Sequence, residues 1–108
     1  MALHHAVAGE VVDLRPLGAS LADATTAALA KTEQFEAVRL VLPRGKTIPR
    51  HAVSGQITLF CLEGRVILHA GREIELGAGQ WVYLERGAPH AVEAVEESAL
   101  LLTIMFDR

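Results

Sequence analysis

The sequence contains a single cysteine, Cys61, so it cannot form an internal disulfide and a disulfide-stapled scaffold is excluded. A reducing cytoplasm is the expected location. No uninterrupted apolar stretch approaches the roughly 20 residues that a membrane-spanning helix needs, so no membrane partner is expected. Residues 1–12 lack a basic start followed by an apolar core, so no secretory signal is expected either. Basic residues are in deficit, 10 Lys and Arg against 13 Asp and Glu, giving a net charge of −3. Nucleic acid, whose phosphates need clustered Lys and Arg, is therefore not an expected partner. There is no internal repeat, low-complexity tract or linker. The remaining composition is ordinary: 108 residues, 51% hydrophobic and 21% charged, which suits one globular core and not a disordered chain.

Hydrophobic patterning has a period of two, or short apolar runs, along most of the chain. Strands are expected at Glu10–Leu14, Phe35–Leu42, Ile57–Leu62, Arg65–His69, Glu73–Leu76, Trp81–Leu84, His90–Val95 and Leu100–Phe106. Gly or Pro punctuates the intervals, as in Pro43-Arg44-Gly45, Glu63-Gly64, Ala70-Gly71 and Gly77-Ala78-Gly79. Short strands about ten residues apart with such breaks mark an all-β sandwich or barrel with little or no helix. Ser20–Lys31 is the exception. Its alanines favour helix, but Thr25-Thr26 and the run through Thr32 equally allow an edge strand, and loop plus strand is expected there. The whole chain, 1–108, reads as a single domain. Its core spans about 35–106, and 1–34 form an N-terminal strand and loop that is a candidate for exchange between two copies.

Two segments carry the chemistry, GKTIPRHAVSGQITLFCLEG from Gly45 to Gly64 and GQWVYLERGAPHAVEA from Gly79 to Ala94. Together they resemble the two motifs of the cupin family, and the resemblance covers most of the chain. In the first motif two histidines and a glutamate lie between glycines; in the second a further histidine comes after a glycine. Gly45, His51, Gly64, Gly79, Gly87 and His90 fall in that frame. The resemblance implies a small antiparallel double-sheet jelly roll and a metal site, with Fe, Mn, Ni or Zn as the candidate ions. The ligand positions are altered: the second histidine falls on Val53, the glutamate is best matched by Gln56, and the final asparagine by Ala94. The implied metal set is thus His51, His90 and Gln56. Such ions are held by several imidazoles and carboxylates, and an amide oxygen brings no charge to offset a dication. Only a weakly held divalent metal is expected.

The same resemblance implies a ligand pocket at His51, Gln56, His90, Phe60, Thr58 and Val53. If Gln56 points inward, alternation puts Thr58, Phe60 and Leu62 on its face and Ile57, Leu59 and Cys61 on the other. His90 then shares a face with Val92 and Ala94, and Val82 and Leu84 point inward beside outward Trp81 and Tyr83. A mostly apolar pocket with a few polar groups is the usual make-up of a small-molecule site. Arg44, Lys46 and Arg50 flank the first motif and would favour an anionic ligand. The expected role is binding of a small molecule. A metal-dependent enzyme of the dioxygenase, isomerase or decarboxylase type is the alternative, and a structural or regulatory dimer with a vestigial pocket is the third reading. No residue is assigned as catalytic. Leu100–Phe106 and Val38–Leu42 are apolar on both faces apart from Arg39, so one sheet is expected to pack against a second copy in a homodimer.

Overall fold

The computed structural model describes residues 4–106. Among them nine strands form: β1 (Ala27–Lys31), β2 (Phe35–Leu42), β3 (Thr47–His51), β4 (Ile57–Glu63), β5 (Arg65–His69), β6 (Glu73–Gly77), β7 (Trp81–Leu84), β8 (His90–Ala94) and β9 (Ser98–Met105). A single 3-10 turn, Gly18–Asp23, precedes β1. The strands make two antiparallel sheets, one ordered β1-β2-β9-β4-β7 and the other β3-β8-β5-β6. This is the expected all-β, double-sheet jelly roll.

Two differences from the sequence reading have local causes. Glu10–Leu14 does not pair as a strand. The Glu10 carboxylate accepts from the Val7 N–H at 3.1 Å and meets the His4 ring, Asp13 pairs with Arg15, and Val11 is left 92% exposed. Its carboxylates are engaged locally and Val11 and Val12 stay exposed, so little draws this segment into a sheet. Conversely, Thr47–His51 forms a strand that patterning hides, because Pro49 interrupts it. β3 lies at the edge of its sheet and bulges between Ile48 and His51, the setting in which a strand tolerates proline. Ser20–Lys31 resolves into the 3-10 turn and β1, so loop plus strand holds with one short helical turn added.

The core lies between the sheets. Ile57, Leu59 and Cys61 from β4, Leu100 from β9 and Leu42 from β2 meet Val66 and Leu68 from β5, Leu76 from β6, and Val92 and Ala94 from β8. The alternation expected around Gln56 is therefore reversed in β4. Ile57, Leu59 and Cys61 face in, and Thr58, Phe60 and Leu62 face the outer side. Gln56 precedes the strand and is exposed, in the Ser54-Gly55-Gln56 turn where side chains do not alternate, so it could not set the parity of β4. The expectations for β8 and β7 hold. His90, Val92 and Ala94 are buried on one face, Leu84 is buried, and Trp81 and Tyr83 point outward.

The N-terminal segment is tied back onto this frame. The Ala6 N–H donates to the Leu29 carbonyl at 2.7 Å, and the Glu63 carboxylate accepts from the N–H groups of Leu17 and Gly18 at 2.8 and 3.2 Å. Cys61 is fully buried, its thiol pushed upward by desolvation and directed at the Glu63 carbonyl 3.4 Å away. It behaves as a small core residue.

Candidate functional site

His51 and His90 come together by strand pairing. They are direct partners in the antiparallel β3–β8 ladder, and their ring centroids lie 4.3 Å apart at an interplanar angle of 57°. In a regular strand Ile48 and His51, three residues apart, would point to opposite faces. The bulge between them turns His51 to the side of Ile48, so both reach the space between the sheets. That space is a cavity of about 150 Å3 lined by Leu40, Ile48, His51, Ile57, Leu59, His90, Val92 and Leu102. Every lining residue other than the two histidines is apolar. Larger hollows lie on the outside, such as the one of about 490 Å3 beside Asp13, Arg15 and Ser20.

The two histidines occupy different depths. His90 is 4% exposed, whereas His51 is exposed at the mouth. Each ring is anchored through Nδ1 to a carbonyl of its own approach segment, His51 to Pro49 at 3.0 Å and His90 to Ala88 at 3.1 Å. A carbonyl oxygen only accepts, so Nδ1 carries the proton in both rings and Nε2 of a neutral ring keeps its lone pair. Burial pushes the His90 imidazole below its ordinary pKa. The Ala88 hydrogen bond opposes this, and the neighbouring His51 adds to it. At neutral pH His90 is an uncharged hydrogen-bond acceptor.

Of the six residues expected around the pocket, only His51 and His90 line this cavity. Gln56 is exposed, and Val53 packs against the edge of the core while its carbonyl accepts from the Gly87 N–H at 2.9 Å. Thr58 and Phe60 lie on the outer face because of the reversed parity of β4. Arg44, Lys46 and Arg50 do not line it either; Arg50 opens instead onto a surface cleft with His69, Arg72 and Glu73. The residues that sequence reasoning missed are Leu40, Ile48, Ile57, Leu59 and Leu102. Thr58 held the only usable signal, since a lone hydroxyl in an apolar strand marks the outward side.

The arrangement does not fit a resident transition metal. Two imidazoles converge, but Gln56 is not with them, and no carboxylate lines the cavity to offset a dication. Among the described residues no three His, Cys, Asp or Glu side chains come together in a way that would hold a metal ion. The chemistry on offer is that of an apolar, ring-sized chamber with hydrogen-bond acceptors at one end.

Comparison with known proteins agrees with this architecture. The model of the cupin domain family matches residues 38–106. No curated protein matches the chain. Among solved structures, a conserved protein of unknown function from Streptococcus pyogenes superposes with a TM-score of 0.78 at 22% identity, over 100% of this chain and 97% of that one. An RmlC-like cupin from Desulfovibrio desulfuricans gives 0.68 at 22% identity, over 97% and 96% of the two chains. A cupin superfamily protein from Desulfitobacterium hafniense gives 0.73 at 16% identity, over 76% of each. At these identities the likeness is one of fold.

Proposed function

The chain belongs to the cupin domain family, and we propose that it is a binding protein that holds a small organic molecule in the cavity between its two sheets, with His51 and His90 as the polar contacts. The observation that carries this reading is the pairing of a preformed apolar cavity with two imidazoles whose Nε2 atoms have no hydrogen-bond partner among the described residues. Small-molecule sites have this make-up, a mostly apolar wall with a few polar groups that fix orientation. Binding ranks above metal-dependent catalysis because the donor set lacks the carboxylate and third imidazole that a firmly held ion requires. A ligand that binds only the folded chain raises its melting temperature. The test is a thermal-shift screen of small, uncharged organic compounds against the wild type and Leu102→Phe, which adds bulk to the cavity wall. Compounds should stabilise the wild type and lose their effect in the variant. Stabilisation that survives in Leu102→Phe would place binding elsewhere and defeat the reading.

The working unit is proposed to be a homodimer formed through the outer face of the five-stranded sheet. What supports this is the composition of that face. Trp81 and Tyr83, 57% and 51% exposed, stand beside Phe60 and Leu101, and Met105 lies at its end. Arg39 sits in the same face, its Nε buried without a hydrogen-bond partner. Apolar patches of this kind are uncommon on monomers. A second copy laid across it would cover the aromatics.

A further inference from the structure

Resting on the reading that the inter-sheet cavity is the binding site, we infer that its ligand belongs to the phenols: a neutral, single-ring molecule presenting a hydroxyl donor to His51 and His90. Size sets the first limit. The cavity volume of about 150 Å3 is that of engineered protein cavities that admit one benzene molecule, which leaves room for one ring with a small substituent. Wall chemistry sets the second. Leu40, Ile48, Ile57, Leu59, Val92 and Leu102 offer neither donors nor acceptors, so all polarity resides in the two imidazoles.

A neutral imidazole anchored in this way accepts and does not donate. Both Nδ1–H groups are spent on the Pro49 and Ala88 carbonyls, and a neutral ring then shows only the Nε2 lone pair. The depressed pKa of His90 is consistent with a neutral ring at the deeper position. A carboxylate or phosphate entering here would set its lone pairs against these, with no lysine or arginine lining the cavity to compensate. A pure hydrocarbon would fill the volume but strip water from the acceptors without replacing its hydrogen bonds. A phenolic hydroxyl satisfies both requirements. With ring centroids 4.3 Å apart, both imidazoles border the same small chamber, and a single hydroxyl entering it has either ring to donate to.

Three ring probes separate the possibilities: phenol, toluene and benzoate, titrated into the methyl-labelled full chain at about pH 7.5, where phenol is neutral and benzoate ionised. In a hydrocarbon cavity toluene outcompetes phenol, because the phenol hydroxyl would be buried unpaired. Here phenol should shift the Leu59 and Val92 methyl resonances and bind about threefold to tenfold more tightly than toluene, the worth of one hydrogen bond, while benzoate leaves them unmoved. In His51→Ala, which alters an exposed residue and keeps the core intact, the preference for phenol should shrink. If that variant does not fold, the order of the three probes on the wild type decides alone. Toluene equal to phenol, benzoate bound, or an unchanged ratio in folded His51→Ala would overturn the inference while leaving the cavity a binding site. Cavity methyls that respond to none of the probes would overturn both.

Discussion

Gly64→Ala should be one of the most damaging single-methyl additions the chain can suffer. Gly64 joins β4 to β5 with φ +88°, and a Cβ built there meets the Glu97 carbonyl oxygen at 2.3 Å, Ser98 Oγ at 2.3 Å and Ser98 Cα at 2.7 Å. None of these can swing aside. Two are backbone, and the hydroxyl is fixed because it accepts from the Arg65 N–H at 3.0 Å and faces the Glu96 carbonyl at 2.7 Å. The left-handed backbone costs a non-glycine residue about 1–2 kcal/mol. Displacing fully buried Ser98 breaks two hydrogen bonds at roughly 1 kcal/mol each, which brings the total to about 3–4 kcal/mol. That is a large part of the 5–15 kcal/mol or so by which domains are stable. Gly71→Ala is the control: φ is +75° there and no atom lies within 4 Å of the added carbon, so only the backbone cost of about 1–2 kcal/mol applies. Urea unfolding monitored by circular dichroism measures both. A loss at Gly64 no larger than that at Gly71 would refute the steric argument and place Ser98 on a yielding segment.

Acidification should destabilise the fold through His90. Its folded pKa lies below the ordinary imidazole value of about 6.5 that applies to the unfolded chain, so the unfolded state binds the extra proton first. Stability is then full above about pH 6.5 and declines as pH falls toward the lowered folded value. Glu10 and Asp13, lowered by hydrogen bonds to Val7 and His4 and to Arg15, act only at more acidic pH. The melting temperature measured between about pH 7.5 and 5.5 should fall for the wild type and stay flatter for His90→Gln; parallel curves would remove His90 from the explanation. Ser98→Ala, which leaves the Arg65 N–H short of an acceptor, should cost about 1–3 kcal/mol by the same urea assay. If the proposed dimer forms, replacing Trp81 and Tyr83 together by serine should convert it to a folded monomer in light scattering, and a wild type already monomeric at high concentration would rule out the proposed interface. Dialysis against a chelator should leave the melting temperature unchanged, since no firm donor set is assembled; a large drop would show a structural metal.

Fold and site are legible to different depths in the sequence. Strands such as Phe35–Leu42 and Arg65–His69 stand out because their flanking Gly and Pro residues are required by sharp turns, and turn chemistry is local. The pairing of His51 with His90 is readable only through the motif frame, since residues so far apart in sequence meet through sheet register, which no local pattern encodes. The cavity wall is misread in β4 because both faces of that strand are apolar: one packs into the core, and the other carries Phe60 on the outer side. When both faces are hydrophobic, alternation fixes a period but not a phase. A related ambiguity hides β3, where Pro49 and a bulge break the pattern in the element that carries His51.

The chamber beside His51 and His90 is the proposed place where this protein meets its ligand. Protein-detected NMR tests it most directly, with methyl-labelled wild type exposed to a diverse library of small fragments. The expected result is that the tightest fragments share one response, shifting the methyl groups of Ile57, Leu59, Val92 and Leu102 that surround the cavity. Tightest fragments that gather instead on the outer sheet face, or at the Arg50–Arg72 cleft, with those four residues unmoved, would contradict it.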